Sequence, residues 1–170
     1  MAVQAANYGI FNLIEEQAKD MKLYNFTLNL VSGNDYRRLE GTPYKTEKAR
    51  RAKPKQPEIE LAYILEEAGH TVYFTPENTL VKGMKNYDGI VDGKLAKMKT
   101  IESTKLDKII DRIDESDTQK ASVACIRVKN PSYTKSEAVR KIREYLSEEK
   151  IQNIKEVLFV YGDRVTHIKK

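Results

Sequence analysis

Asp88, Lys97 and Lys99 are the residues of this chain whose types and spacing come closest to chemistry, and an Asp-Gly pair between them sets their geometry. A two-residue type I′ turn needs positive φ at both central positions, so Asp92-Gly93 between two apolar runs predicts a hairpin. Counting back from that turn opposes Val91 to Lys94, Ile90 to Leu95, Gly89 to Ala96 and Asp88 to Lys97. Directly opposed residues share one sheet face with Cβ atoms about 5 Å apart, and residues two apart along a strand share it as well. Asp88, Lys97 and Lys99 are therefore expected to point the same way. Two carboxylates and a lysine placed like this would hold a divalent cation and steady charge on a phosphate or on the attacking water. Here an ammonium stands where the second carboxylate would be. Paired with Asp88 across the hairpin, Lys97 puts positive charge roughly where a metal would sit and disfavours cation binding. The same residues also fit an ordinary hairpin with a surface ion pair.

The other charged and reactive residues are more dispersed. The 170-residue chain carries a net charge of +5, and the excess lies between Arg37 and Lys55, where Arg37, Arg38, Lys45, Lys48, Arg50, Arg51, Lys53 and Lys55 face only Glu40 and Glu47. Such a block can contact phosphates, with Lys48, Arg50, Arg51, Lys53 and Lys55 as the nucleic-acid-binding candidates, or it can be a solvated linker. Only Tyr36 and Tyr44 lie near it, so base stacking on an aromatic platform is not indicated. The single cysteine, Cys125, excludes an intramolecular disulfide framework and a cysteine-rich zinc site, and its apolar surroundings suggest a buried structural thiol. His70 follows a glycine at a predicted helix end, and His167 lies on a predicted terminal strand; both read more simply as structural positions than as ligands. No segment approaches the roughly 18 to 20 apolar residues that span a bilayer, and no secretory signal opens the chain, so a soluble protein without membrane insertion is expected.

The elements that must position these residues can be read from periodicity. Ala6 to Leu23 is loosely helical and Asn25 to Val31 alternates as a short strand, giving an appendage over residues 1–36; the Pro-containing basic segment 37–56 reads as a linker. The main domain is expected over 57–170. Pro57 opens a helix over Glu58 to Ala68 that Gly69 ends. Thr71 to Thr75 is a strand, Pro76 to Asn86 a loop, and Tyr87 to Ile101 the hairpin. A second helix is predicted from Ser103 to Asp114, capped by Ser103 or Thr104. Ala121 to Val128 has the largely apolar character of a strand covered on both faces. Lys135 to Glu149 is a third helix capped by Thr134 or Ser136, and Val157 to Tyr161 with Arg164 to Ile168 closes the chain as a hairpin turning at Gly162-Asp163.

This order, α-β-β-β-α-β followed by a helix and a hairpin, with an acid on the first helix, Asp88 on the second strand and Lys99 on the third, resembles the PD-(D/E)XK nuclease superfamily. Glu58, Ala62, Leu65, Gly69 and Val72, then Tyr87 through Gly93, then Lys97 through Thr100, are similar in spacing to the C-terminal nuclease toxins of contact-dependent inhibition systems and related phage or polymorphic toxins. Val157 through Lys169 resembles their closing hairpin. The likeness covers Glu58 to Lys170 and leaves out residues 1–56. It implies an α/β fold with an αβββαβ core, a mixed sheet, an extra helix and a C-terminal β-hairpin.

The resemblance further implies Glu58, Asp88 and Lys99 as catalytic residues, with Glu58 and Asp88 holding magnesium, manganese or zinc if the site is active. Glu60 is a rival for Glu58. Lys97 replaces the family's other acid, and this departure bears on catalysis. RNA, tRNA in particular, is the substrate such toxins favour over DNA, and they act in a target-cell cytoplasm against which the producer keeps an acidic immunity protein. A DNA-processing nuclease would use the same core, and two further alternatives stand beside this reading. One is a catalytically silent nucleic-acid-binding or protein-interaction module. The other is a metal-independent ribonuclease of barnase-like or colicin-like type, acting through His167, Thr166 or Arg164.

Overall fold

The computed structural model describes residues 31–32, 54–74 and 88–170. The proposed helix over Ala6 to Leu23, the basic residues from Arg37 to Lys53 and the loop from Pro76 to Asn86 lie outside them. The elements are β1 (Val31–Ser32), α1 (Gln56–Glu67), β2 (Val72–Phe74), β3 (Gly89–Val91), β4 (Lys94–Ile101), α2 (Asp107–Thr118), β5 (Val123–Val128), α3 (Lys135–Leu146), β6 (Glu156–Tyr161) and β7 (Arg164–Lys169). The expected α-β-β-β-α-β-α-β-β order is present. All the described strands belong to one sheet in the order β1-β2-β3-β4-β5-β6-β7. It is mixed: β4, β5 and β6 run parallel, and every other neighbouring pair is antiparallel.

Two apolar layers flank this sheet. On one face Ile59, Leu61, Ala62 and Leu65 of α1 pack with Val91, Ala96, Met98, Cys125, Leu158 and Val160. On the other, Ile109 and Ile113 of α2 and Ala138 and Ile142 of α3 pack with Ile90, Leu95, Ala124, Ile126 and Phe159. Strand alternation distributes β5 as the sequence implied, with Val123 and Cys125 toward α1 and Ala124, Ile126 and Val128 toward α2 and α3. Parallel neighbours need crossover connections, and α2 and α3 supply them on the same face.

Local chemistry explains the differences in boundary. α2 begins at Asp107, four residues later than a Ser103 start, and has no side-chain cap. Ser103 Oγ instead accepts the Lys105 N–H at 3.2 Å, and Thr104 gives its carbonyl to the Ser132 hydroxyl at 2.9 Å, so this stretch is spent on turn contacts. β5 starts at Val123 because Lys120, with φ of 62°, and the Ala121 N–H, bonded to Ser116 O, still belong to the end of α2. α3 stops at Leu146, where the Ser147 hydroxyl donates to the Glu144 carbonyl at 2.6 Å. Its start is the expected one: Thr134 Oγ1 accepts the Glu137 N–H at 3.2 Å while Glu137 Oε2 accepts the Thr134 N–H at 2.7 Å.

One buried acid holds the α3 to β6 connection. Asp117, 8% exposed, accepts the Asn153 and Ile154 N–H groups on Oδ1 at 2.7 and 2.8 Å. Nothing in the helical pattern singles it out.

Candidate functional site

The Asp92-Gly93 turn has φ of 49° and 79°, the signs a type I′ turn requires. The register is the one counted from the sequence: Val91 opposes Lys94, Ile90 opposes Leu95, and Gly89 opposes Ala96. Gly89 is needed by contact, since a Cβ there would lie 2.6 Å from the Tyr73 carbonyl oxygen on β2. One residue earlier the ladder changes character. The Asp88 N–H still bonds Ala96 O at 3.2 Å, but the Met98 N–H is taken by the Asp88 carboxylate, at 2.7 Å to Oδ2. The other carboxylate oxygen, Oδ1, accepts from Lys97 Nζ at 3.3 Å. The expected cross-strand pair is therefore present, and it is not a solvated surface pair: the Lys97 and Asp88 side chains are only 10% and 19% exposed.

Lys99 lies on the same face, toward α2 and α3, where its Nζ is 3.7 Å from Glu115 Oε1. Glu115 is a member of this site that sequence reasoning missed. Arg112 binds it at 2.8 Å, and that bond, outweighing burial and aided by Lys99 and Lys97, holds its carboxyl below the ordinary range. The face thus carries Asp88, Lys97, Lys99, Arg112 and Glu115, three cations against two carboxylates. A signal existed in the 3.6-residue periodicity that puts Arg112 and Glu115 on one stripe of α2, but no pattern in sequence says which strand residues that stripe meets.

Glu58 is placed differently. It sits in the first turn of α1, on the helix that covers the opposite face of the sheet, and its Oε2 accepts the Lys55 N–H at 2.9 Å. Structurally it serves the helix start. Its rival Glu60 bonds Arg127 at 2.9 Å and lies 3.6 Å from Lys129, so the Arg127 bond, against burial, holds its carboxyl low. Glu60 and Arg127 line a groove of about 440 Å³ with Tyr63, Ile64, Glu67 and Asp163. Among the described residues, no group of three or more His, Cys, Asp or Glu is arranged to hold a metal ion.

Of the remaining candidates, Lys55 is the exposed N-cap of α1, whereas Lys48, Arg50, Arg51 and Lys53 lie outside the described residues. Cys125 is fully buried, and burial, with the nearby Asp88 charge, pushes its thiol far above the range of a nucleophile. His167, Thr166 and Arg164 do not form one group. On β7, Arg164 and Thr166 share a face with Ile168, which packs toward α3, whereas His167 turns to the α1 side and bonds Glu156 Oε2 at 2.8 Å.

One comparison places this fold beside a known protein. The fold, an α/β mixed sheet with an αβββαβ core and a closing hairpin, is shared with a solved chain from a "CdiA-CT/CdiI toxin and immunity complex from Burkholderia pseudomallei", at 20% sequence identity and a TM-score of 0.54 over 75% of this chain and 92% of that one. The likeness is one of architecture. No protein-family model matches the chain, and no curated protein matches it. Among the described residues, no helix is long and apolar enough to cross a membrane.

Proposed function

We propose that this is a nuclease-fold toxin domain directed at RNA, tRNA being the favoured substrate, in which Lys97 has closed the divalent-metal position and left the Asp88, Lys97 and Lys99 face as a phosphate-binding surface. The observation that carries the reading is the part-buried ion pair of Lys97 with Asp88 at 3.3 Å, on a face whose cations outnumber its acids. The residues do not fit magnesium, manganese or zinc. One oxygen of Asp88 is turned to an ammonium and the other to a backbone N–H, and Glu58 belongs to a helix on the far side of the sheet. Hard divalent cations need several oxygen donors, so no step is routed through a metal here. Lys99 and Arg112 supply charge to phosphate, and the basic segment from Arg37 to Lys55 adds sequence-independent attraction.

The structural neighbour comes from a toxin and immunity complex. We extend this to the chain as a partner protein of acidic surface that covers the cationic face, with charge complementarity setting its on-rate. The site of action in this reading is the cytoplasm of a target cell.

Binding of the full chain to tRNA over a salt series tests the proposal. The slope of log affinity against log salt should fall by about one unit on Lys99→Glu and by several units on deletion of 37–55. Absence of tRNA binding, or slopes that neither change alters, would sink it.

A further inference from the structure

The chain has two histidines, far apart in sequence, and the fold brings them face to edge. Their ring centroids are 6.2 Å apart and the rings lie at 88° to each other. Each imidazole is held by its own carboxylate. His70, which follows the Gly69 that ends α1, bonds Asp92 Oδ2 through Nδ1 at 2.7 Å. Asp92 is itself fixed, since its Oδ1 accepts the Thr71 N–H at 3.0 Å and its own N–H donates to Thr71 O at 3.0 Å. His167, on β7, bonds Glu156 Oε2 through Nε2 at 2.8 Å, and Lys94 Nζ donates to the other oxygen of Glu156 at 2.7 Å. Glu156 is nearly buried and the His70 side chain is 18% exposed, whereas those of His167 and Lys94 are 37% and 45% exposed, so the cluster meets solvent mainly at His167 and Lys94. Lys169 follows His167 by two residues on β7, on the same face, and is exposed.

We infer that His70 and His167 form a metal-independent acid–base site for cleaving RNA at its 2′-hydroxyl. This rests on the RNA-directed reading above but not on the Asp88 face, which lies on the opposite side of the sheet. When a ring nitrogen donates to a carboxylate, the tautomer and the ring plane are fixed and the other nitrogen is left to exchange a proton. His70 keeps Nε2 for this role and His167 keeps Nδ1. In the reaction one imidazole removes the 2′-hydroxyl proton as that oxygen attacks phosphorus, forming the new P–O2′ bond. The P–O5′ bond breaks, and the other imidazole, protonated, gives its proton to the departing 5′-oxygen. The products are a 2′,3′-cyclic phosphate and a 5′-hydroxyl, and no metal, oxidant or external nucleophile enters the balance. In-line displacement sets the two oxygens on opposite sides of phosphorus, which calls for two acid–base groups facing each other across a gap, each within about 3 Å of its oxygen. Lys94, which bonds Glu156, and Lys169, exposed on the same face of β7 as His167, would partner the non-bridging phosphate oxygens.

The test uses the full chain and a short RNA oligonucleotide in excess chelator, beside an oligonucleotide of the same sequence with 2′-deoxy sugars. Cleavage of the RNA alone, leaving a 2′,3′-cyclic end, is expected. His70→Asn and His167→Gln, whose amide nitrogens stand where Nδ1 and Nε2 stand and so keep a donor toward Asp92 and Glu156, should each slow it at least about 100-fold while tRNA affinity is retained. Added imidazole should restore part of the rate to His167→Gly, a response that loss of a merely structural histidine would not give. A folded chain that binds tRNA yet leaves the RNA intact in chelator, or one whose cleavage survives both amide changes, would overturn the inference and leave the proposed function standing. A chain that binds no RNA would instead overturn the proposed function.

Discussion

Replacing Lys97 by methionine probes whether its ion pair with Asp88 is an internal neutralisation or a dispensable surface contact. At the observed 3.3 Å, and with an effective dielectric of about 20, the attraction is about 5 kcal/mol before desolvation is counted. Desolvating both groups offsets most of that, so the pair contributes little net stability against an apolar replacement of both. Removing only the lysine is another matter. Asp88 then keeps its charge at 19% exposure with the Met98 N–H as compensation, which places the cost near the low end of the 3–5 kcal/mol range for a broken buried pair, about 3 kcal/mol. Adding Asp88→Asn removes the stranded charge while an amide oxygen can still accept from Met98, so the double variant should recover about 2 kcal/mol of that loss. Urea unfolding of wild type, both single variants and the double variant reads this directly, since a loss of about 3 kcal/mol moves the midpoint by roughly 1–2 M for a domain of this size. A Lys97→Met protein within about 0.5 kcal/mol of wild type, or a cycle with no coupling, would refute the reasoning.

Two further outcomes follow from buried carboxylates. Asp117→Ala strands the Asn153 and Ile154 N–H groups and should cost about 3 kcal/mol, with amide exchange accelerated at those two positions; unchanged protection there would mean the α3 to β6 connection is held by something else. For Glu156, burial pushes the carboxyl up, but the bonds from Lys94 and His167 outweigh it and hold the group below its ordinary value of 4.5. A lowered folded value means stability that is complete above 4.5 and lost as pH falls through the folded value, so the thermal midpoint of wild type should drop more steeply below pH 4.5 than that of Glu156→Gln. Parallel acid profiles for the two proteins would contradict this.

The hairpin was legible because Asp92-Gly93 admits few turn geometries, and a period of two then fixes the opposed pairs as far as Gly89 and Ala96 and the face that Asp88 and Lys97 share. The two-sided burial of β5 was equally readable from its apolar run. What escaped the sequence were contacts set by packing between elements. Glu115 reaches Lys99 only because α2 crosses back over β4, and His70 meets His167 only because α1 covers the sheet face to which His167 points. His167 and Thr166, offered side by side by the sequence, are neighbours on a strand and so point to opposite faces. Glu58 stood at the spacing of a helix acid, and the fold uses it in the first turn of α1. Its role at a metal was carried by resemblance rather than by any pattern that fixes how α1 lies against the sheet.

The claim that Lys97 has closed a metal position is tested most directly by calorimetric titration of manganese into the full chain and into Lys97→Glu. In the variant, the new carboxylate would stand beside Asp88 with Glu115 nearby on the same face, giving oxygen donors where the wild type has an ammonium. The wild type is expected to show no saturable manganese binding at this face, and Lys97→Glu clear binding that is lost again when Asp88→Ala is added. Saturable binding by the wild type that Asp88→Ala removes would contradict the claim.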